Sequence, residues 1–145
     1  TFFKGIRRSW TCFVYQQLYA LRKRNEMNSN AKIWIEALRS GKYKQGTGYL
    51  HQLENGIDKF CCLGVACDLA VKANIIAEPI ENANLFYYDN EISFLPLSVM
   101  QWLGIKTKGG LFNEDYLVDV NDCGMDFKEI ADIIESEPKR LFRRE

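Results

Sequence analysis

Three of the chain's five cysteines, Cys61, Cys62 and Cys67, lie within seven positions, and the single histidine, His51, precedes the first of them by ten residues. A thiolate beside a general base is a nucleophile, and thiolates together with imidazole are ligands for zinc. These residue types therefore raise two kinds of chemistry. One is catalysis by Cys61 with His51 as its base and an aspartate, Asp58 or Asp68, to orient it. The other is a metal site.

The spacing of the cysteines favours packing over chemistry. The sequence has no Cys-x-x-Cys pair, and Cys62 and Cys67, five residues apart on a predicted helix, point to different faces of that helix. Gly64 lies between them, and a glycine inside a helix costs about 1 kcal/mol unless it permits close approach of another backbone segment. We therefore predict that Cys62 and Cys67 are buried and that no cofactor is required. A metal- or thiol-dependent enzyme built on His51, Cys61, Cys62 and Cys67 is the third alternative.

A basic loop that contains three glycines, residues 41–48, offers a different kind of site. Gly41 and Gly46 have the spacing of a phosphate-binding loop, but Thr47 stands where that motif has its lysine, which excludes a nucleoside triphosphate site. The lysines and tyrosines of the loop suit contact with a protein or with a phosphate backbone. The predicted binding residues, including two arginines of the N-terminal segment, are Lys42, Tyr43, Lys44, Gln45, Tyr49, Arg22 and Arg24.

Charge divides the chain into two segments. Residues 1–27 carry six Lys and Arg against one Glu, whereas the rest of the chain carries thirteen basic and eighteen acidic side chains. Apolar and aromatic residues recur at helical spacing over residues 9–24, which predicts an amphipathic helix. Its many aromatic side chains need cover from the domain, from a second copy of the chain or from another partner. We predict a basic aromatic arm at 1–26, a domain at 27–137 and a basic tail at 138–145.

The domain alternates helices and short strands. Helices are predicted at 29–40, at 62–73, from Pro96 to Gly104, and from a capping box formed by Asp126 and Glu129 to a point before Pro138. Strands are predicted at 49–53, 57–61, 92–95 and 116–120, the first two joined by an Asn-Gly turn. Residues 74–90 show no clear pattern, and 106–110 is predicted as a flexible loop. The fold class is α+β, with about four helices packed on a small, mainly antiparallel sheet and an additional N-terminal amphipathic helix.

Cysteine usage and hydropathy indicate the compartment. An odd number of cysteines, two of them adjacent, is typical of reduced thiols rather than of a disulfide framework. The apolar run near the N-terminus is interrupted by Gln16 and Gln17, and no small-residue cleavage site follows it, so it does not match a secretory signal. No stretch reaches the roughly 20 apolar residues of a membrane span. We therefore expect a cytoplasmic protein without a membrane span.

A set of short motifs carries a resemblance. The motifs are Ala37-Leu38-Arg39-Ser40-Gly41-Lys42-Tyr43, Phe60-Cys61-Cys62-Leu63-Gly64-Val65-x-Cys67-Asp68, Trp102-Leu103-Gly104 and Val120-Asn121-Asp122-x-Gly124. Taken together they resemble a family of small uncharacterised proteins found in bacteriophage and prophage genomes. The resemblance covers about residues 30–135 and leaves residues 1–26 outside it. It transfers no catalytic residue.

The resemblance implies a phage accessory protein that acts in the cytoplasm of a bacterial host. Neutral net charge, one histidine and the lack of a complete catalytic set favour binding over catalysis. We expect the protein to bind and modulate a host or phage protein, for example as an inhibitor of host defence. The alternative is nucleic-acid binding through the basic arm and the 42–48 loop. Self-association through the N-terminal aromatic helix is a further expectation.

Overall fold

Six helices and a mixed five-stranded sheet form the described part of the chain, which in this computed structural model is residues 12–18 and 27–144. Helix α1 covers residues 12–18, and the other helices are α2 (Ser29–Arg39), α3 (Cys62–Lys72), α4 (Leu97–Leu103), α5 (Leu117–Asp122) and α6 (Phe127–Glu135). The strands are β1 (Lys44–Gln45), β2 (His51–Glu54), β3 (Ile57–Phe60), β4 (Ile80–Asn82), β5 (Leu85–Tyr87), β6 (Leu111–Phe112) and β7 (Asp115–Tyr116). The predicted α+β class is confirmed.

The main sheet has the strand order β1-β3-β2-β5-β4, and β6 pairs with β7 in a separate two-stranded sheet. Only the β1–β3 pair of the main sheet is parallel. Asn55 and Gly56 connect β2 to β3 with φ values of 54° and 77°, the left-handed conformation that an Asn-Gly hairpin turn requires. This turn places His51 directly opposite Phe60. The predicted hairpin is therefore present, with strands of four residues each where five were expected.

The core lies between the sheet and helices α2, α3, α4 and α6. Trp34 of α2 is fully buried, and its indole Nε1 donates a 2.9 Å hydrogen bond to the carbonyl oxygen of Cys62 at the start of α3. At the surface, Arg39 of α2 forms ion pairs of 2.6 Å with Asp132 and 2.8 Å with Glu135 of α6. The buried Trp34 at the middle of α2 and the exposed ion pairs of Arg39 at its C-terminal end therefore both hold the helix against its neighbours.

Helix boundaries follow the local signals of the sequence. Asp126 accepts a 2.8 Å hydrogen bond from the backbone N–H of Glu129, so α6 begins after the predicted N-cap, with one of the two hydrogen bonds of a capping box. Gly104 ends α4 in the left-handed conformation at φ 75°, as expected for a C-terminal glycine. Asn28 caps α2 by accepting from the N–H of Asn30 at 2.7 Å.

Several predicted elements are wrong. Residues 92–95 form no strand; they are a bent segment whose Ile92 carbonyl accepts from Leu50 N–H. Residues 116–120 were predicted as one strand, but β7 ends at Tyr116 and helix α5 begins at Leu117. The unassigned region 74–90 contains the β4–β5 hairpin, and the 41–48 loop contains β1. Each of these strands is two or three residues long, which is too short for an alternating pattern to register.

The two predicted terminal segments differ in burial: the described residues of the N-terminal helix are exposed, whereas part of the C-terminal segment is buried. Of the N-terminal amphipathic helix predicted over 9–24, residues 12–18 are helical and exposed, and the remainder lies outside the described residues. In the segment predicted as a basic tail, Leu141 and Phe142 are buried, and Lys106 N–H donates to the Leu141 carbonyl at 2.9 Å. Among the described residues, no helix combines the length and the apolar character needed to cross a lipid bilayer.

Candidate functional site

The cysteine run begins helix α3 and is packed against the sheet. Cys61 is the N-cap, and its sulfur accepts a 3.4 Å hydrogen bond from the N–H of Gly64. Cys61, Cys62 and Cys67 are all buried, which confirms the predicted burial of the last two. A Cβ placed on Gly64 would stand 1.6 Å from the carbonyl oxygen of Leu50. Gly64 is therefore required by the close approach of the two backbones.

Burial controls the chemistry of these thiols. It raises the pKa of Cys61 to about 11, and it raises the pKa of Cys62 and Cys67 well above their ordinary value. A thiol that stays protonated at neutral pH is a poor nucleophile and a poor metal ligand. Within the two described stretches, no group of three or more His, Cys, Asp and Glu side chains is arranged to hold a metal ion. The geometry therefore gives no support to the thiol-enzyme alternative.

His51 is engaged on both faces and at both ring nitrogens. Its ring stacks between those of Phe60 and Phe86, with centroid distances of 4.0 Å and 3.7 Å. Its Nε2 lies 2.6 Å from the Asp58 carboxylate, and its Nδ1 lies 2.8 Å from the Tyr88 hydroxyl. Since a carboxylate only accepts, we assign the proton to Nε2 and let Tyr88 donate to Nδ1.

Tyr88 is the buried end of this chain of hydrogen bonds. Its side chain is buried, and burial raises the pKa of the phenol above its usual range. The Asp58–His51–Tyr88 series therefore joins β2 and β3 to the segment after β5.

Asn121 joins the motifs that carry the family resemblance into one internal cluster. Its Oδ1 accepts from Cys62 N–H at 3.1 Å and from Gln45 Nε2 at 2.9 Å, and its Nδ2 donates to the Gly46 carbonyl at 2.9 Å. Next to it, Asp122 accepts from Gly48 N–H at 2.9 Å. Residues of the 41–48 loop, the cysteine run and helix α5 therefore meet in hydrogen bonds that the sequence motifs alone did not connect.

The predicted binding residues divide into three groups. The side-chain amide of Gln45 donates hydrogen bonds to Asn121 Oδ1 and to the Met125 carbonyl. The Tyr43 hydroxyl donates to the Asp68 carboxylate at the surface of α3. The side chains of Lys42, Lys44 and Tyr49 are exposed. Arg22 and Arg24 lie outside the described residues.

Tyr49 borders a surface on which four chain segments lie side by side. Ser93 Oγ donates to the Gly48 carbonyl at 3.1 Å, Leu95 N–H donates to the Lys108 carbonyl at 2.9 Å, and Leu117 N–H donates to the Gly110 carbonyl at 2.9 Å. These bonds tie residues 48–50 to 92–95, 92–95 to 107–110, and 107–110 to the beginning of α5. They bring together residues that are up to about 70 positions apart in the sequence.

Three of these segments expose a large aromatic ring. Tyr49 is 38% exposed, Phe94 38% and Tyr116 41%, and Leu97, three residues after Phe94, is 61% exposed. The fourth segment contributes Lys108, whose Nζ lies 4.9 Å from the centroid of the Phe94 ring. We call Tyr49, Phe94, Leu97, Lys108 and Tyr116 the aromatic surface.

Gly109 lies beneath the aromatic surface. A Cβ built on this residue would lie 3.1 Å from a ring carbon of Tyr116 and 3.7 Å from two ring carbons of Phe94. Both rings therefore pack closely against the backbone of Gly109, which is buried, and a side chain at this position would displace the Tyr116 ring.

Two cavities lie elsewhere, and both are lined by charged groups. One, of about 510 Å³, lies between α2 and α6 beside Ile35, Arg39 and Glu135. Arg39 lowers the pKa of Glu135 by hydrogen bonding to it, so both groups are already compensated. The other, of about 520 Å³, is lined by Lys139 and Arg140 and by the polar residues 113–115. Neither cavity concentrates exposed apolar side chains.

Sequence reasoning found Tyr49 but missed the rest of the aromatic surface. Phe94 and Tyr116 were assigned to strands, and 106–110 was predicted as flexible. In the structure that loop is held by several bonds, including Leu111 N–H to Thr107 Oγ1 at 2.7 Å and Lys106 N–H to the Leu141 carbonyl at 2.9 Å. The signal was Gly109-Gly110, a pair of glycines in which the first allows the Tyr116 ring to pack against its backbone and the second, at φ 73°, makes the turn.

Comparison with known proteins identifies a family but no activity. A family model described as a domain of unknown function (DUF8296) matches residues 27–138, which is most of the chain. No curated protein and no solved structure matches the chain. The match begins at the residue before the Asn28 cap of α2 and includes the whole aromatic surface. The expectation of an uncharacterised family is confirmed in this general form.

Proposed function

The chain belongs to the DUF8296 family of domains of unknown function, and we propose that it acts by binding another protein through the aromatic surface. The observation that carries this proposal is the partial exposure of Tyr49, Phe94 and Tyr116 on segments that backbone hydrogen bonds hold together. Partly exposed aromatic rings on a hydrogen-bonded framework are typical of the centre of a protein interface.

The composition of the aromatic surface supports a protein as its partner. It combines tyrosine and phenylalanine with an aliphatic side chain, Leu97, which contributes apolar area and no hydrogen bond. Tyrosine and phenylalanine are enriched in interfaces because they bury a large area at a low cost in side-chain entropy. A single lysine, Lys108, lies beside the rings, so the electrostatic contribution is local rather than extended.

We further propose the role inferred from the family resemblance, in which the bound protein belongs to a bacterial host or to a phage and is modulated by the contact. Inhibition of host defence is one form of such modulation. Binding without turnover agrees with the buried, protonated thiols and with the full hydrogen bonding of His51. The predicted contact loop contributes Tyr49 to the aromatic surface, and Lys42 and Lys44 are exposed in the same loop.

Nucleic-acid binding is the second candidate, and one observation favours it. Lys42 and Lys44 are exposed, and neither forms an ion pair with any described residue. Unpaired lysines beside exposed aromatic rings also occur in proteins that bind single strands. Against it stands the composition of residues 28–145, in which acidic side chains exceed basic ones by five.

The test is affinity capture from a bacterial cell extract with three immobilised proteins. They are the wild-type chain, the double variant Phe94→Ser/Tyr116→Ser, and the control Ile80→Ser. Ile80, on the edge strand β4, is 69% exposed, so this control removes a more exposed apolar side chain elsewhere. We expect wild type and control to retain the same protein, and the double variant to retain at least about tenfold less. Thermal unfolding of each variant confirms that it is folded.

Two outcomes would contradict the proposal. If the double variant is folded and retains the partner as well as wild type does, the aromatic surface is not the contact. If the retained material disappears after nuclease treatment, and binding falls steeply between 50 and 200 mM salt as for phosphate contacts, nucleic acid is the partner.

A further inference from the structure

Helix α1, residues 12–18, carries four large apolar side chains that are between 45% and 74% exposed: Phe13, Val14, Tyr15 and Leu18. We propose that α1 docks on a membrane surface that contains anionic phospholipids, with these side chains at the boundary between headgroups and acyl chains. The site is separate from the aromatic surface, and the inference is independent of the protein-binding function proposed for that surface.

The apolar side chains of α1 share one side of the helix. Successive residues of an α-helix are rotated by about 100°, so Val14 and Leu18 lie about 40° apart. Phe13 and Tyr15 lie on either side of Val14, and the four side chains form one broad apolar face. Gln16 lies on the opposite side and is exposed. An exposed helix with one apolar and one polar side has the geometry of a helix that lies in the plane of a lipid interface.

The charges around α1 in the sequence select an anionic surface. Residues 1–25 contain six Lys and Arg and no Asp or Glu, with three of the cations before α1 and three after it. No charged residue lies within α1, so the cations do not interrupt the apolar face. Anionic headgroups attract Lys and Arg close to the surface, and apolar burial adds to that attraction. Residues 28–145 carry an excess of five acidic side chains, so the rest of the chain has no comparable attraction to the same surface.

The apolar face of α1 distinguishes a lipid surface from other partners of a basic segment. A nucleic acid would pair its phosphates with the flanking cations, but its backbone offers no apolar environment to Val14 and Leu18. A second copy of α1 would cover the apolar face, but it would bring together two segments that each carry six cations and one Glu over residues 1–27. An anionic bilayer covers the apolar face and compensates the cations at the same time.

The first test is co-sedimentation of the full chain with lipid vesicles. We expect at least about tenfold stronger binding to mixed phosphatidylcholine–phosphatidylglycerol vesicles than to phosphatidylcholine alone. The double variant Phe13→Ser/Leu18→Ser should bind the mixed vesicles at least about tenfold more weakly than wild type. The matched control is Ile57→Ser/Ile80→Ser, which removes two exposed apolar side chains of the sheet and should bind as wild type does. Thermal unfolding confirms that each variant is folded.

The contribution of charge is measured with the same vesicles. Arg7→Glu/Arg8→Glu reverses two of the cations that precede α1 and should weaken binding to the mixed vesicles by about tenfold or more. It should leave the weak binding to phosphatidylcholine unchanged. Added salt should reduce the difference between the two kinds of vesicle, since it screens exposed charges over about 10 Å at 0.1 M.

The second test shows which side of α1 enters the lipid. Cys12 and Cys123 are the exposed thiols of the described residues, and the other three cysteines are buried. In a chain that carries Cys12→Ala and Cys123→Ala, either Val14→Cys or Gln16→Cys provides a single exposed thiol for a polarity-sensitive fluorophore. With mixed vesicles, we expect the emission from position 14 to shift to shorter wavelength more than the emission from position 16.

Four results would overturn the inference. They are the absence of vesicle binding, equal binding to neutral and anionic vesicles, loss of binding in Ile57→Ser/Ile80→Ser to the same extent as in Phe13→Ser/Leu18→Ser, and equal emission shifts at positions 14 and 16. Two of the alternatives have their own signatures. An oligothymidine strand that binds more tightly than the mixed vesicles assigns the segment to nucleic acid. A dimer in sedimentation that Phe13→Ser/Leu18→Ser dissociates, without vesicle binding by wild type, assigns α1 to a second copy of the chain.

Discussion

Gly64 and Leu50 approach so closely that a Cβ on the glycine would stand 1.6 Å from the carbonyl oxygen of the leucine. The same carbonyl accepts a 3.1 Å hydrogen bond from Cys61 N–H, and Leu50 N–H donates to Ile92. Helix α3 is therefore seated directly on the chain that leads into β2. The segment next to Leu50 carries Tyr49, so this contact also positions one edge of the aromatic surface.

Replacement of Gly64 by alanine should be strongly destabilising. The added methyl group would meet backbone rather than a movable side chain, so α3 or the segment at Leu50 must shift. We expect Gly64→Ala to lower the free energy of unfolding by about 3 kcal/mol or more. Urea denaturation followed by tryptophan fluorescence measures this change.

Gly41→Ala is the matched control for that substitution. Gly41 has a positive φ of 76°, but a Cβ there would have nothing within 4 Å. Gly41→Ala should therefore lower the free energy of unfolding only by the strain of the left-handed conformation, about 1–2 kcal/mol. A Gly64→Ala protein that is as stable as Gly41→Ala would show that the close approach of α3 to Leu50 is not rigid.

The cysteine run shows which part of the α3 junction could be predicted from the sequence and which part could not. The sequence predicted a packed junction because Gly64 is unfavourable in a helix unless a backbone lies against it, and that physical argument is local. Which backbone lies there was not predictable, because Leu50 precedes Gly64 by 14 residues and reaches it only through the β2–β3 hairpin. Long-range contacts of this kind depend on the whole topology.

Asn121 uses all of its hydrogen-bonding capacity inside the protein. Its side chain is fully buried and forms bonds to Cys62, Gln45, Gly46 and the neighbouring Asp122. Asn121→Leu would leave a backbone N–H and a backbone carbonyl without partners in the core. We expect it to lower the free energy of unfolding by about 2–4 kcal/mol, measured by urea denaturation.

Asn121→Asp separates the two halves of this network. A carboxylate still accepts from Cys62 N–H but cannot donate to the Gly46 carbonyl, and it brings a charge into the core. It should be at least as destabilising as Asn121→Leu at pH 7 and should recover part of the loss at pH 4 to 5, where the carboxyl is protonated. Equal stability of Asn121→Asp and wild type at pH 7 would contradict the hydrogen-bond assignment.

His51 and Tyr88 should show energetic coupling. His51→Phe keeps an aromatic ring between Phe60 and Phe86 but removes the acceptor of the Tyr88 hydroxyl. Tyr88→Phe removes the donor. Each single variant should lose about 1–3 kcal/mol, and the double variant should lose at least about 0.5 kcal/mol less than the sum of the two.

Asp58→Asn is the control for this cycle. It changes the partner of His51 Nε2 at the exposed end, where solvent can replace the lost interaction. Its effect should be within about 1 kcal/mol, smaller than that of either His51→Phe or Tyr88→Phe. Strict additivity between His51→Phe and Tyr88→Phe would show that the 2.8 Å contact contributes nothing to stability.

The aromatic surface shows what the sequence could not supply. Tyr49 was predicted as a contact residue because it follows a basic loop that contains three glycines. Phe94 and Tyr116 carry no such marker, since apolar residues in short extended segments are normally core. Their exposure follows from the turn at Gly110 and from the start of α5 directly after Tyr116, and α5 is only six residues long. Elements of that length leave too few residues for a periodic pattern.

The last prediction concerns stability at alkaline pH. Burial raises the pKa of Cys61 from about 9 to about 11, and it also raises the pKa of Cys62 and of Cys67 well above their ordinary value. The folded state therefore keeps protons that the unfolded chain releases. This contribution to stability is fully present below about pH 9 and is lost as the pH rises through the window between 9 and 11. Once the thiol is ionised in the unfolded chain, each buried thiol should lower the free energy of unfolding by about 1.4 kcal/mol per pH unit.

Cys67→Ala tests this assignment against Cys123→Ala, which removes an exposed thiol. Free energies of unfolding are measured by urea denaturation between pH 9 and 10.5, with reductant present. Cys67→Ala also creates a cavity, which displaces its whole curve downward without changing the slope. The free energy of unfolding of Cys67→Ala should decrease with pH less steeply than that of wild type, by about 1.4 kcal/mol per pH unit. That of Cys123→Ala should decrease as steeply as that of wild type. If both variants keep the wild-type slope, Cys67 ionises as readily in the folded protein as in the unfolded chain, and the packed cysteine junction is open to solvent.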